Sequence, residues 1–386
     1  MGLTRGDVFY RFLKPPVRSY LSWIYNIQVK SNPLKDLNEP YLLLGNHVTN
    51  EDPIISNVYA NRLIRYVAGD ANQDHWLKRI LLTQLESIPF AKNTGDAKSI
   101  RVLVRHVRAG HPVGLYPEGG RNWDGATDEL VPSTGKLIKL LKVPVYGIIF
   151  KGGYLSRPRW AAYPRKGKLV MEIKELFGRD TIARKTPDEL QALLVEKLDH
   201  NEYVWQRAQR IPFKGKRLAE HIERLLYVCP HCNAVNTIKS KGDQFYCTAC
   251  DSQYSINVYG EILGCNDFSD TISWNQWQRK FLPKIIGEGF QYVNEDVLLS
   301  KKEIGRKLWQ RDTVKLVFSP DSLEISGKKG AETILLSDIS GLSITFQDVV
   351  EFYLDKFKYR LRFDPQRHMS VKLFYDLLGT LVKGEH

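Results

Sequence analysis

No run of eighteen or more apolar residues occurs in the 386-residue chain, which excludes a conventional membrane-spanning helix. The start carries charges and lacks an apolar core with a small-residue cleavage site, so no secretory signal is expected. Cysteine is scarce. Four of the five cysteines fall in two Cys-x2-Cys pairs, which fits a reducing compartment and leaves Cys265 over, expected to be buried rather than reactive. No dense block of lysine and arginine with interleaved aromatics flanks these cysteine pairs to mark them as a nucleic-acid reader. No serine or cysteine stands in an obvious nucleophile elbow either, which disfavours covalent nucleophilic catalysis.

What is present is a strong positive balance, +13 at neutral pH. Such a charge suits a polyanionic partner, and an anionic membrane surface or nucleic acid would both qualify. The N-terminus points to lipid. Residues 7–27 mix aromatic and aliphatic side chains, among them Phe9, Tyr10, Phe12, Tyr20, Trp23 and Tyr25, with Arg11, Lys14 and Arg18. Pro15-Pro16 is expected to divide this stretch into two short amphipathic helices over residues 1–34, suited to a bilayer interface or, alternatively, to packing on the protein's own core.

Two loops carry the chemistry. Tyr41-Leu42-Leu43-Leu44 reads as a buried strand ending at Gly45, and Asn46-His47-Val48-Thr49-Asn50-Glu51-Asp52-Pro53 follows it. Asp52 suits the N-cap of a helix that has Pro53 at its first position. It is also placed to face His47 across a tight strand-to-helix turn, where a carboxylate fixes the imidazole tautomer and stabilises the imidazolium. A second apolar run leads into Tyr116-Pro117-Glu118-Gly119-Gly120-Arg121, which offers a carboxylate and a guanidinium on a glycine turn. Arg121 suits a forked contact to phosphate or carboxylate, and Glu118 a hydroxyl. Both loops are expected at the same end of one sheet. Between and after them strand and helix patterns alternate, ending in a charged helix over residues 187–209. This predicts an α/β domain with a mixed sheet covered by helices over residues 35–212. The basic segment from Arg157 to Lys168 reads as a solvated loop within reach of headgroups.

His-x4-Asp followed by Pro-Glu-Gly-x-Arg resembles the glycerophospholipid acyltransferase family, of the 1-acylglycerol-3-phosphate type. Ile88-Pro89-Phe90-Ala91-Lys92, Thr134-Gly135-Lys136 and Val143-Pro144-Val145-Tyr146-Gly147-Ile148 agree with its other motifs, so the likeness covers roughly residues 35 to 210. It implies direct acyl transfer from acyl-CoA or acyl carrier protein to a phosphate-bearing glycerolipid or lysolipid, with His47 as general base and Asp52 beside it. Glu118, Gly119, Gly120, Arg121 and Lys92 would contact substrate. Two positions depart from the pattern: Gly120 stands where the family has threonine, and Lys92 where it has arginine. Both bear on the acceptor, and both leave open a non-catalytic lipid binder on the same fold. The implied place is peripheral, on the cytoplasmic face of the cell membrane.

Cys229-Pro230-His231-Cys232 and Cys247-Thr248-Ala249-Cys250 resemble a zinc ribbon over residues 226–262, with redox disulfides or iron as alternatives. A structural or protein-docking role fits it, since Asp243, Asp251 and Glu261 lie in or beside it; a zinc-ribbon nucleic-acid binder is the alternative reading. Residues 270–386 read as a series of short strands closed by a helix over Met369–Val382, similar in topology to a pleckstrin-homology or GRAM barrel. That domain is left open to lipid, to a protein partner, or to neither.

Overall fold

The computed structural model describes residues 4–69, 76–90, 97–306 and 308–383. Two compact units divide the chain, one formed by residues 1–159 and 164–214, the other by 160–163 and 215–386.

The first unit opens with helix α1 (Arg5–Tyr25), started by a capping box between Thr4 and Asp7. It is one helix, not two. Pro15 and Pro16 lie inside it, and Arg11, Phe12, Pro15 and Pro16 are all exposed, so the carbonyls they deprive of partners lie on the solvent side. Elements then follow as β1 (Ile27–Ser31), β2 (Leu42–Gly45), α2 (Asp52–Tyr59), β3 (Arg65–Gly69), α3 (Trp76–Gln84), β4 (Ile88–Phe90), α4 (Ala97–Arg108), β5 (Val113–Leu115), α5 (Thr134–Leu141), β6 (Val145–Lys151) and the single turn α6 (Gly153–Ser156). A two-residue β7 (Arg165–Lys166) precedes β8 (Leu169–Phe177), α7 (Arg179–Arg184), α8 (Pro187–Leu198) and α9 (Glu202–Gln209), and β9 (Lys214–Gly215) ends the series. The charged stretch 187–209 is thus two helices. Asn201 breaks it, because its side chain accepts from the N–H groups of Tyr203 and Val204 and starts α9 afresh.

Seven strands form one mixed sheet in the order β1-β8-β6-β2-β5-β3-β4. β2 runs parallel to both β5 and β6, while β8 is antiparallel to β6. Leu42, Leu44, Val113 and Val145 are buried with Ile138, Leu190 and Leu194 of the covering helices, as expected of strands walled on both faces. α1 is pinned to this body by a buried ionic knot. Arg65, with no exposed side-chain surface, lies 3.2 Å from Asp7 and 2.8 Å from Glu86. The Tyr10 hydroxyl adds bonds to the carbonyls of Asn57 and Ala60 at the end of α2.

In the second unit β10 (Ile238–Lys241), β11 (Gln244–Cys247), β12 (Gln253–Ile256) and β13 (Ile262–Leu263) form a small antiparallel sheet. Helices α10 (Thr271–Gln278) and α11 (Leu282–Gly287) come next, where strands were expected from residue 270. β14 (Tyr292–Glu303), β15 (Gln310–Phe318), β16 (Ser322–Gly327), β17 (Gly330–Leu335), β18 (Ile339–Thr345), β19 (Val349–Leu354) and β20 (Phe357–Arg362) then make an antiparallel half-barrel in the order β17-β16-β15-β14-β20-β19-β18. Its inner face is Leu316, Phe318, Phe352 and Leu361, closed by Phe374, Leu377 and Leu378 of α12 (Val371–Lys383). The ribbon and the half-barrel therefore belong to the same compact unit.

Candidate functional site

Because β2 and β5 are adjacent and parallel, the loops after them leave the same edge of the sheet. Asn46 extends β2 by imitation: its amide accepts from the Phe150 N–H and donates to the Phe150 carbonyl. His47 comes next, and its backbone N–H donates to Glu118 Oε1 at 2.6 Å. Glu118 Oε2 accepts from the Asp128 N–H. The two oxygens are thus engaged by backbone, and Glu118 braces one loop against the other. Burial, with Asp128 nearby, pushes its carboxyl well above the usual range. Gly119, next in the turn, has φ +70°, a left-handed conformation that a side chain would strain.

His47 Nδ1 lies 2.9 Å from Asp52 Oδ2. Asp52 is the first residue of α2 and has no exposed side-chain surface. Rather than capping its own helix in the usual way, it turns back into the loop. Its Oδ2 also accepts from the N–H groups of Val48 and Thr49, and Oδ1 from the Thr49 hydroxyl. That many donors hold the carboxylate still and leave Nε2 as the nitrogen of His47 available to a substrate. The imidazole keeps 21% of its surface exposed. Its ring stacks on Tyr116 at 4.4 Å, and Tyr116 stacks on Tyr66 at 5.5 Å. Gly114 makes room for this column, since a Cβ there would fall 2.5 Å from the Tyr66 ring.

Burial holds the His47 pKa below the ordinary histidine value of 6.5; Asp52 works against that, and Arg121 and Arg159 reinforce it. A neutral imidazole at neutral pH is one able to take a proton. Arg121 is buried, and desolvation lowers its pKa. Arg159 Nη1 donates to the Arg121 carbonyl at 2.6 Å, and its guanidinium lies over Trp123 at 4.4 Å. Arg157 pairs with Glu51 at 2.9 Å. The expected solvated basic loop is therefore, at Arg157 and Arg159, part of the site's wall. Gly120 leaves space beside it: a Cβ at that position would sit 3.7 Å from Arg159 Nη1, an ordinary contact.

His47, Asp52, Glu118, Gly119, Gly120 and Arg121 are thus brought together. Lys92 lies outside the described residues. Tyr116, Trp123, Arg157 and Arg159 were missed as site residues, and only the local density of arginine after β6 hinted at two of them.

Cys229, Cys232, Cys247 and Cys250 place all four sulfurs within 4.8 Å of one another. Two of the Sγ–Sγ distances, Cys229–Cys250 and Cys232–Cys247, are 3.7 Å. Tetrahedral thiolates about 2.3 Å from zinc stand roughly 3.8 Å apart, so the donor set fits that ion. Thr237 Oγ1, Ser252 Oγ and Tyr254 OH hydrogen-bond Cys247, Cys250 and Cys229 respectively, as outer partners of a metal site do.

Among known proteins, the acyltransferase family model matches residues 25–151. A search of curated proteins finds no match. Solved structures with some likeness include the 1-acyl-sn-glycerophosphate acyltransferase PlsC of Thermotoga maritima, 14% identical, covering 52% of this chain and 79% of that one at a TM-score of 0.45. The N-terminal pleckstrin-homology domain of human ARAP2 is 17% identical over 26% of this chain and 83% of its own, at a TM-score of 0.19. The family match encloses both strands and both loops that build the histidine site: the chain carries an acyltransferase domain.

Proposed function

We propose that this protein moves a fatty acyl group from an acyl-CoA or acyl carrier protein thioester to a hydroxyl of a phosphate-bearing glycerolipid or lysolipid. The observation that carries the proposal is the 2.9 Å His47–Asp52 pair beside Arg121 on the adjoining loop. His47 Nε2 takes the acceptor's hydroxyl proton as that oxygen attacks the thioester carbonyl. A C–O bond forms, the tetrahedral intermediate collapses with loss of the C–S bond, and the imidazolium returns its proton to the departing thiolate. Asp52 fixes the tautomer and stabilises the imidazolium; base catalysis of this kind contributes about 10²–10⁴ in rate. Arg121 holds the acceptor phosphate in a forked contact, and Lys92 adds positive charge.

The acceptor would be met at a membrane. Val8, Phe12, Tyr20 and Trp23 of α1 are exposed, Phe12 at 80% and Trp23 at 75%, and their spacing puts them on one face of the helix. Arg11 lies beside that face, while Lys14 turns back to the Ala60 carbonyl and Arg18 lies over the Tyr59 ring. Such a helix lies in the interface plane and holds the enzyme on the cytoplasmic side of the bilayer. No helix among the described residues is long and apolar enough to cross a membrane. Zinc held by Cys229, Cys232, Cys247 and Cys250 would cross-link the ribbon and supply folding energy.

Acyl-thioester-dependent transfer to a panel of lysophospholipids and glycerol phosphate, by wild type and by His47→Ala, tests the proposal. Transfer lost in the variant, with its melting temperature and zinc content kept, supports it. Undiminished transfer by His47→Ala refutes the base, and lipid binding by a wild type that transfers to no acceptor favours a non-catalytic lipid binder.

A further inference from the structure

We infer that Tyr116, backed by Tyr66, is a positioning residue of the histidine site, a flat face that sets the tilt of the His47 imidazole and favours its protonated form. The inference deepens the acyl-transfer reading and rests on it for its kinetic consequence alone. Three neighbouring strands deliver the three rings. The sheet runs β2-β5-β3 here, with Leu44 of β2 opposite Leu115 of β5, and Gly114 of β5 opposite Tyr66 of β3. Tyr116, two residues past Gly114, meets Tyr66 as a diagonal cross-strand neighbour. His47 follows the end of β2 and supplies the third ring. The centroids stand 4.4 Å apart for His47–Tyr116 and 5.5 Å for Tyr116–Tyr66, with interplanar angles of 14° and 10°. Packing alone does not require such alignment: Tyr41–Tyr146 and Tyr154–Tyr203, in the same unit, meet at 75° and 67°.

The hydrogen bond to Asp52 holds the imidazole at one edge, through Nδ1, and leaves the ring free to tilt about that contact. A parallel neighbour at 4.4 Å removes the tilt. The same neighbour acts on charge. The face of a phenol ring is negative, so it attracts an imidazolium more than a neutral imidazole, and desolvation enlarges the difference. Arg121 and Arg159 oppose the imidazolium, Asp52 and the Tyr116 face favour it, and Glu118 engages the backbone N–H of His47. Helix α2 ties the carboxylate and the column together. Ser56, one turn after Asp52, donates to the Asp52 carbonyl at 3.0 Å and shares a hydrogen bond with the Tyr66 hydroxyl. The helix that presents Asp52 to the edge of the imidazole thus also fixes the far end of the stack. Gly114 completes the arrangement, because the atoms nearest a Cβ at that position all belong to the Tyr66 ring.

The test uses the full chain, isotopically labelled at histidine, and follows the His47 titration by NMR. His47 is assigned among the nine histidines by its absence from His47→Ala. Tyr116→Leu keeps the wall apolar and removes the aromatic face, and should move the titration to lower pH by about half a pH unit or more. Tyr116→Phe keeps the face and should hold the titration at the wild-type position. Gly114→Ala displaces Tyr66 without replacing any neighbour of the imidazole; it should reproduce part of the shift and keeps the inference testable where Tyr116→Leu does not fold. In the transfer assay Tyr116→Leu should lower kcat by about tenfold, with KM for the acyl thioester within about twofold, and Tyr116→Phe should restore most of the loss. A merely structural role would lower the melting temperature and leave the titration where it is. An identical His47 titration in wild type, Tyr116→Leu and Gly114→Ala overturns the inference even where acyl transfer stands. A wild type that transfers to no acceptor defeats the acyl-transfer reading, and the NMR comparison then decides the column by itself.

Discussion

Replacing Asp52 by asparagine isolates the charge of the site from its architecture. Asparagine is nearly isosteric, and its carbonyl oxygen can take over the Oδ2 position, where it still accepts from His47 Nδ1, Val48 N–H and Thr49 N–H. The new amide then faces the Thr49 hydroxyl, which can rotate to accept from it. The fold should hold, and what disappears is the negative charge 2.9 Å from the imidazole. At an effective dielectric constant of about 20, that charge is worth at most roughly 6 kcal/mol to an imidazolium at this distance, and tenfold in rate corresponds to about 1.4 kcal/mol. A fall of about 10²–10⁴ in kcat is therefore expected, with KM for the acceptor nearly unchanged. Since Asp52 raises the His47 pKa, the acid limb of the pH–rate profile should also move to lower pH. Asp52→Ala makes the contrast: it strands the four donors that the carboxylate now satisfies, and should destabilise the protein by about 1–3 kcal/mol for each one left buried. Steady-state kinetics against pH, with a thermal melt of each variant, decides. An Asp52→Asn protein that keeps its activity within a few fold, or whose acid limb moves upward, refutes the reasoning.

The acid limb of kcat/KM in the wild type should lie below 6.5, the ordinary histidine value, because burial and then Arg121 and Arg159 oppose protonation of His47. Arg159→Met should move that limb upward while Arg159→Lys largely restores it, and a limb that stays put in both would deny Arg159 its influence. The same depression makes the unfolded chain take up this proton first, so the His47 contribution to stability should fall as pH drops through 6.5, read as a declining melting temperature. Arg65→Met strands the carboxylates of Asp7 and Glu86; it should cost about 3 kcal/mol or more and loosen α1, seen as protease cleavage near the N-terminus. Zinc should be found equimolar with the chain by metal analysis, and a strong chelator or Cys232→Ser should release it and unfold the ribbon while His47–Asp52, in the other unit, keeps its geometry.

Much of this architecture is legible in the residues, and the exceptions have particular causes. The apolar strand β2, the glycine after it and the Pro-Glu-Gly-Gly-Arg turn are local signals, and a parallel sheet carries them to one edge without further information. The four cysteines are as plain, since two knuckles at that spacing have few other uses. β14 and β18 are harder to see because bulges break their alternation, between Asn294 and Val297 in one and between Ser340 and Ser343 in the other. Asp296, at φ +59°, sits inside the first of these irregularities. Two prolines in α1 look like a break until tertiary structure shows them facing solvent. Arg159 is the instructive loss: its sequence neighbourhood is that of an exposed basic loop, and only its burial against Trp123 and the Arg121 carbonyl reveals another use.

That arginine bears on how such a site reconciles two demands. An acceptor phosphate needs concentrated positive charge, and a general base needs to be neutral before the reaction and charged during it. In the proposed reaction Arg121 and Arg159 would serve the first demand, and they add to burial in holding the His47 pKa below its ordinary value, which keeps the imidazole free of a proton. Arrival of a phosphate-bearing acceptor there would offset their field. With that opposition reduced, the attraction of Asp52 would weigh more, and under the proposed mechanism His47 would become a stronger base once the acceptor is in place. Gly120 is compatible with the same scheme, because no side chain there intrudes beside Arg159 Nη1, from which a Cβ would sit 3.7 Å. Basicity that rises on binding would direct proton removal to a bound acceptor rather than to stray water, a form of selectivity built from charge placement alone.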